Sequence, residues 1–289
     1  MCDEHTVEDN EKLLGQVSRR QFSRLTAGTA LAMLLPRVAN AAEVTESDVN
    51  VMTPDGSADC YFVHPASGKH AGVIIWPDIL GLRPAFRMMG KRLAESGYSV
   101  LVVNPFYRQA KAPVVPDGAS FQDEAVRNTV FPLARALTAE TNMTDAKAFV
   151  AFLDAQGAVD TSRKIGTMGY CMGGPIVMRT AAAAPGRVGA GASFHGGALA
   201  TDAPDSPHLL IPQMKARFLF AIAENDDQRE PKVKDVLKEA YAKAGLDAEI
   251  EVYQGTLHGW CPPDSAVYNE AQAEHAWNRL LALFDKALA

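Results

Sequence analysis

The chain has 289 residues, 47% of them hydrophobic and 21% charged, a balance that supplies a full apolar core for one large domain or two small ones. Its formal charge of -6 and pI near 5.7 argue against nucleic acid or an anionic membrane as partner, since either would favour a basic face. No run is long and apolar enough to read as a membrane span.

At the N-terminus, SRRQFSR (Ser18 to Arg24) precedes the short apolar stretch LTAGTALAMLL and then PRVANA, with small residues at Ala39 and Ala41. Paired arginines, an apolar stretch too short to span and a small-x-small site, in that order, mark an export signal and not a fold element. The segment resembles the twin-arginine translocation signal, with Ser18, Arg19, Arg20, Phe22 and Arg24 at the positions of that pattern. Residues 1–41 are therefore expected to be cleaved after Ala41, leaving 42–289 as a single domain. The resemblance implies the twin-arginine export machinery as a partner, an exported and periplasmic location, and no stable membrane anchor. Cleavage would remove five basic and five acidic residues, so the remaining chain keeps its charge of -6. It would also leave Cys60, Cys171 and Cys261, an odd number in a compartment where disulfides persist, so at least one thiol stays free. Pairing of Cys60 with Cys261 is open at this level.

From residue 48 onward, β-rich runs alternate with helical patterns. VNVMT and ADCYFVHP come first, then AGVIIWP, the helix-like RPAFRMMGKRLAESG, and YSVLVVNP. The stretch RQAKAPVVPDGAS, Arg108 to Ser120, has prolines, a glycine and no periodicity, and reads as a loop. After a longer middle section come KIGTMGY with a helix behind Cys171, VGAGASFHGG, RFLFAIA, the helix-like PKVKDVLKEAYAKAG, AEIEVYQ, and a final helix from Asn269 to Ala287. Such alternation predicts an α/β fold: one doubly wound, mostly parallel sheet with helices on both faces. The continuous apolar runs VIIW, VLVV and FLFAIA fit strands buried on both sides. The stripe Val233, Val236, Leu237 and Tyr241 reads as the core face of its helix.

GYCMGG, residues 169–174, is where this pattern turns from strand to helix. A side chain at Cys171 is pushed above the sheet, and glycines at 169 and 173 remove groups that would collide across the turn. The G-x-C-x-G form is a nucleophile elbow with sulfur in place of a hydroxyl. Free N–H groups and the positive end of the helix favour a thiolate there, and the same N–H groups can hold an oxyanion. A small buried cysteine packing a turn fits the pentapeptide equally well, so partners must decide.

Elbow enzymes run nucleophile, acid, histidine along the chain. Of the histidines after Cys171, His258 in YQGTLHGW follows the strand AEIEVY and precedes the last helix, where the base belongs. His195 in SFHGG also ends a strand but precedes any suitable carboxylate; His208 and His275 read as surface or packing residues. The acid belongs in AENDDQREP, after RFLFAIA. Asp226 is preferred from the strand end and Asp227 from Pro231, with the other left as a cap or turn residue.

These residues resemble the dienelactone hydrolases, cysteine members of the α/β-hydrolase fold, over roughly Val51 to Leu283. The resemblance rests on GYCMGG, AENDD, LHGW, WPDILGLRP and NPFYRQ. It implies a Cys171, His258 and Asp226 (or Asp227) triad, with Asp78 in place of a family glutamate near the nucleophile. It implies oxyanion N–H groups from Ile79 and Met172, and Arg108 as a binder of the substrate carboxylate. A second carboxylate-binding arginine of the family is replaced by Pro262, which points to an ester or lactone less dependent on a paired anion clamp. Trp260 and Phe106 are candidates to line a more apolar pocket.

Together the residues predict hydrolysis of a small ester or lactone through a thioester at Cys171, with no metal and no organic cofactor. Two other classes fit the same corner: a thiol-based redox enzyme, and a noncatalytic exported protein that binds a small molecule. The missing C-x-x-C and the placement of His258 weigh against the first.

Overall fold

The computed structural model describes Glu8 and residues 35–289. The arginine pattern at Ser18 to Arg24 lies outside the described residues.

Eight strands form one sheet: β1 (Val44–Thr53), β2 (Gly56–Pro65), β3 (Gly72–Trp76), β4 (Ser99–Val102), β5 (Ile165–Tyr170), β6 (Val188–Phe194), β7 (Arg217–Ala223) and β8 (Ala248–Tyr253). Their order is β1-β2-β4-β3-β5-β6-β7-β8. The first two pairings, β1 with β2 and β2 with β4, are antiparallel, and all the others are parallel. The order reverses around β3, so the strand exits nearest that switch point, β3 and β5, are where an open α/β sheet opens a crevice. The continuous apolar strands predicted from sequence are β3, β4 and β7, each buried almost throughout.

Among the described residues, seven α-helices pack about the sheet: α1 (Pro84–Glu95), α2 (Glu124–Arg135), α3 (Ala139–Asp154), α4 (Gly173–Ala183), α5 (Glu224–Arg229), α6 (Val233–Ala244) and α7 (Glu270–Ala287), with a 3-10 helix at Pro207–Gln213. Local chemistry sets their ends. Pro84 opens α1, where a missing N–H costs nothing. The Asn269 side chain accepts from Gln272 N–H to start α7. Gly245 closes α6 in the left-handed conformation.

Alternate strand positions feed two cores on opposite faces. Ile74, Trp76, Leu101 and Phe220 face one side with Phe149 of α3 and Tyr241 of α6. Val73, Ile75, Val100 and Leu219 face the other with Phe86 of α1 and Leu280 and Phe284 of α7. Cys60 lies in the first core and Cys261 in the second. Both are free and buried, so the sheet separates them and the pairing left open above does not occur.

Three local features differ from the sequence reading. The middle section holds two helices, α2 and α3, whose capping signals at Asp123 and Thr138 lie among residues without a clear apolar period. The acid segment, where the sequence reading leaves a cap or turn residue, forms a short helix, α5. In α6, Leu237 and Tyr241 are buried but Val236 is 37% exposed, because the core-facing stripe is narrower than the run of apolar residues.

Candidate active site

β5 ends at Tyr170 and α4 begins at Gly173, leaving Cys171 at the corner with φ 52°. That left-handed conformation is strained for a residue with a Cβ and persists only where the surroundings enforce it, at a cost of about 1–3 kcal/mol. Here they do. A Cβ on Gly169 would stand 2.5 Å from Gly173 O, and one on Gly173 would stand 2.4 Å from Trp76 O and 3.0 Å from Pro77 O. The two glycines let the start of α4 press against both its own strand and the exit of β3. Cys171 N–H donates to Phe194 O at 3.0 Å, and Cys171 O accepts from Gly174 N–H at 3.1 Å, so the turn is pinned on both sides.

Close packing of α4 on the β3 exit brings the segment carrying Ile79 beside Met172. Ile79 and Met172 pack with Cys171 in one cluster. Backbone N–H donors on both sides of a reacting group are what an oxyanion hole requires.

His258 follows β8 and is 2% exposed. Its backbone N–H donates to Asn225 Oδ1 at 2.9 Å, and its Nδ1 donates to Asp226 Oδ2 at 2.8 Å. Burial disfavours the imidazolium, but the charges of Asp226 and Cys171 and the hydrogen bond to Asp226 outweigh it and push the pKa up to about 10. Asp227, the next residue, turns away and receives Lys234 Nζ at 2.6 and 2.7 Å. Successive helical side chains point about 100° apart, so once α5 forms, only one of the two aspartates can face His258.

The third group at the corner is an ion triad. Asp78 Oδ1 accepts from Leu80 N–H at 2.9 Å and from Arg83 Nη1 at 2.7 Å, and its Oδ2 accepts from Arg83 Nη2 at 2.9 Å. Asp264 takes Arg83 Nε at 2.6 Å and Nη2 at 3.0 Å. Burial pushes the Asp78 carboxyl upward, with Arg83 opposing. Asp78 thus lines the same cleft as Cys171, and its partner Arg83 is not among the residues singled out from the sequence. Its signal was within reach: it lies five residues beyond Asp78, inside WPDILGLRP.

A cleft of about 580 Å³, mouth included, opens over these residues. Its walls include Asp78, Ile79, Arg83, Cys171, His195 and His258, with Ala119 to Gln122 from the loop after β4 and Gly259 and Asp264 to Ala266 from the loop after β8. Of the loop read from Arg108 to Ser120, only the last residues, Ala119 and Ser120, reach the cleft.

Three expected substrate contacts are corrected. Arg108 does not line the cleft: its guanidinium is held by Asp145 at 2.7 Å and by Asp55, and it lies over the Tyr107 ring, 4.6 Å from its centroid. With Asp145 buried, the arginine neutralises a core carboxylate. Trp260, fully buried, stacks on Tyr253 at 4.8 Å and stands 6.3 Å from the His195 ring, supporting His195 from behind. Phe106 packs in a cluster with Ile79, Leu80 and Cys171 but is absent from the cleft wall. His195, by contrast, does line the cleft, with its ring 5.1 Å from that of His258.

The family model described as "Dienelactone hydrolase family" matches residues 58–288. A carboxymethylenebutenolidase of Rhodococcus opacus is 26% identical over 234 residues, covering 78% of this chain and 86% of its own length. One from Pseudomonas putida is 23% identical over 217 residues, covering 75% and 86%. Among solved structures, a dienelactone hydrolase from Anabaena variabilis superposes with a TM-score of 0.61 at 16% identity, over 85% of this chain and 99% of that one. A dienelactone hydrolase-like promiscuous phosphotriesterase, P91, from metagenomic libraries gives 0.69 at 19% identity, over 85% and 99%. At these identities the structural likeness speaks to the fold.

Proposed function

The chain belongs to the dienelactone hydrolase family, a family of lactone and ester hydrolases, and we propose that it cleaves a small ester or lactone by thioester catalysis at Cys171. The observation that carries this reading is the 2.8 Å contact of His258 Nδ1 with Asp226, which fixes an imidazole whose charge interacts with Cys171 on a strained turn. The imidazolium and the start of α4 both favour the thiolate. Cys171 Sγ attacks the carbonyl carbon, and the N–H groups of Ile79 and Met172 hold the resulting oxyanion. As the intermediate collapses, the C–O bond to the leaving alkoxide breaks and His258 gives it a proton. In a lactone that alkoxide stays tethered to the acyl group. Water then attacks the thioester while His258 takes its proton, the C–S bond breaks, and acid and thiolate are released. Asp226 holds the imidazole in the required tautomer throughout. The carboxymethylenebutenolidase relatives support a lactone among the substrates.

Hydrolysis of an uncharged butenolide and of two uncharged p-nitrophenyl esters by the protein and by Cys171→Ala tests this. Turnover that vanishes in the variant, with an acyl adduct on Cys171 visible by intact mass, is the expected result. Full rate in the variant would overturn it.

The same reading takes residues 1–41 as a twin-arginine export signal and the protein as periplasmic. Ala42 N–H donates to Glu95 O at 3.0 Å, so the expected new N-terminus would lie against the end of α1. Cell fractionation with N-terminal sequencing should find a periplasmic form starting at Ala42, and Arg19→Lys/Arg20→Lys should hold the precursor in the cytoplasm. A periplasmic form starting at Met1 would refute the signal.

A further inference from the structure

Resting on the hydrolase reading, we infer that this cleft selects an uncharged substrate, recognising neutral polar groups beside the scissile carbonyl through His195 and Gln122 and rejecting carboxylates.

The first ground is the state of Arg83, the arginine in the cleft wall. A guanidinium has five N–H donors, and all five are engaged. Nε goes to Asp264, Nη1 to Asp78 and the Gly81 carbonyl, and Nη2 to Asp78 and Asp264. Two carboxylates against one cation leave the triad net negative, and it is closely held, with side-chain exposures of 8% for Arg83, 13% for Asp78 and 24% for Asp264. A substrate carboxylate would have to displace one of these partners and would meet two like charges. Arg108 cannot substitute, being held by Asp55 and Asp145 away from the cleft. Arg127, behind the loop, places its Nη1 on the carbonyls of Phe121 and Gln122 at 3.0 and 2.6 Å.

The second ground is what the wall offers instead. His195 has no exposed surface, yet neither of its ring nitrogens has a hydrogen-bond partner. Burial and the neighbouring charge of His258 hold it well below the usual histidine range, so it presents one donor and one acceptor without charge. Its backbone is in the left-handed region, φ 40°, and its N–H donates to Ala221 O at 2.8 Å. The ring is thereby held between His258 and Trp260. Gln122, on the loop that Arg127 anchors, likewise has both amide atoms buried and unpartnered. Buried polar groups without partners are rare and costly. Two of them on one cleft wall, both neutral and each offering a donor and an acceptor, match carbonyl, alkoxy or hydroxyl groups.

The test uses the full-length protein and two p-nitrophenyl esters differing in charge: mono-p-nitrophenyl succinate and its methyl ester. The neutral ester should show kcat/KM at least about tenfold higher, the penalty for leaving the carboxylate unpaired beside like charge. Asp264→Asn, which frees part of Arg83, should narrow that ratio by raising the anionic ester's kcat/KM. Gln122→Leu and His195→Phe should each lower, about tenfold, the ratio of kcat/KM for the methyl succinate to that for p-nitrophenyl butyrate, which lacks the distal carbonyl, whatever either does to the common rate. Equal or better use of the anion by the unmodified protein would overturn the inference while leaving the hydrolase reading intact. Should no ester turn over, that reading fails, and calorimetry on Cys171→Ala still decides selectivity. Dimethyl succinate binding more tightly than monomethyl succinate supports the inference, and the reverse order refutes it.

Discussion

His258 Nδ1 and Asp226 Oδ2 stand 2.8 Å apart, while the adjacent Asp227 is bound to Lys234 at 2.6 Å. The neighbouring carboxylates therefore have separable roles. Asp226→Asn keeps the shape but removes the acceptor that sets the imidazole tautomer, and kcat should fall by about 10³–10⁴-fold. Asp227→Asn should leave kcat within about threefold and appear only as a small loss of stability, since a partly exposed ion pair contributes about 0.2–1 kcal/mol. Steady-state kinetics of the two variants checks this, and equal losses would mean that the two aspartates act together.

Choosing between those aspartates was beyond the sequence for a physical reason. Counting from either end of AENDDQREP assumes a loop, whereas the segment winds into α5 and helical rotation decides which side chain faces His258. What could be read were features local in sequence: the glycine-flanked corner, the buried apolar strands, the final helix up to Ala287, and the chain order of Cys171, acid and His258. What could not be read were long-range pairings. Arg108 resembled a substrate ligand until folding brought Asp145, 37 residues away, against it. Arg83 gained a role only when Asp264, 181 residues away, arrived on its other edge. Charge partners of high sequence separation leave no periodicity behind.

Arg108→Ala follows from that correction. Asp145 would be left buried with the Tyr107 hydroxyl at 2.8 Å but without its cation. The cost should be about 2–3 kcal/mol, less than for a fully buried pair because Arg108 is partly exposed. Thermal unfolding should move down by about 4–9 °C, with the ratio of kcat/KM between neutral and anionic esters unchanged. A selective loss of the anionic ester would restore Arg108 to the binding site.

Sterics at the elbow make a sharper stability prediction. Gly173→Ala places a methyl 2.4 Å from Trp76 O, which is backbone and cannot rotate away. The variant should lose about 3 kcal/mol or more and lose activity with it, because the shift needed to relieve the clash moves the start of α4 away from Ile79. Gly186→Ala, where an added Cβ meets nothing within 4 Å, serves as the control and should melt close to the parent protein.

The raised pKa of His258 has a definite signature in stability. Its folded value, about 10, lies above the value of 6.5 for a free imidazole, so the folded state holds the proton more tightly than the unfolded chain does. That contribution is complete below about pH 6.5 and disappears as pH rises to about 10. Denaturant midpoints measured from pH 6 to pH 10 should therefore fall more steeply for the parent protein than for His258→Gln, which has no such proton to lose. Because the Cys171 charge is one of the causes of the shift, Cys171→Ala should lower the His258 pKa in an NMR titration of its Cε1 proton and move the stability loss to lower pH. A His258 resonance that titrates identically with and without the thiol would show that Asp226 alone sets the imidazole, and the paired thiolate would lose its support.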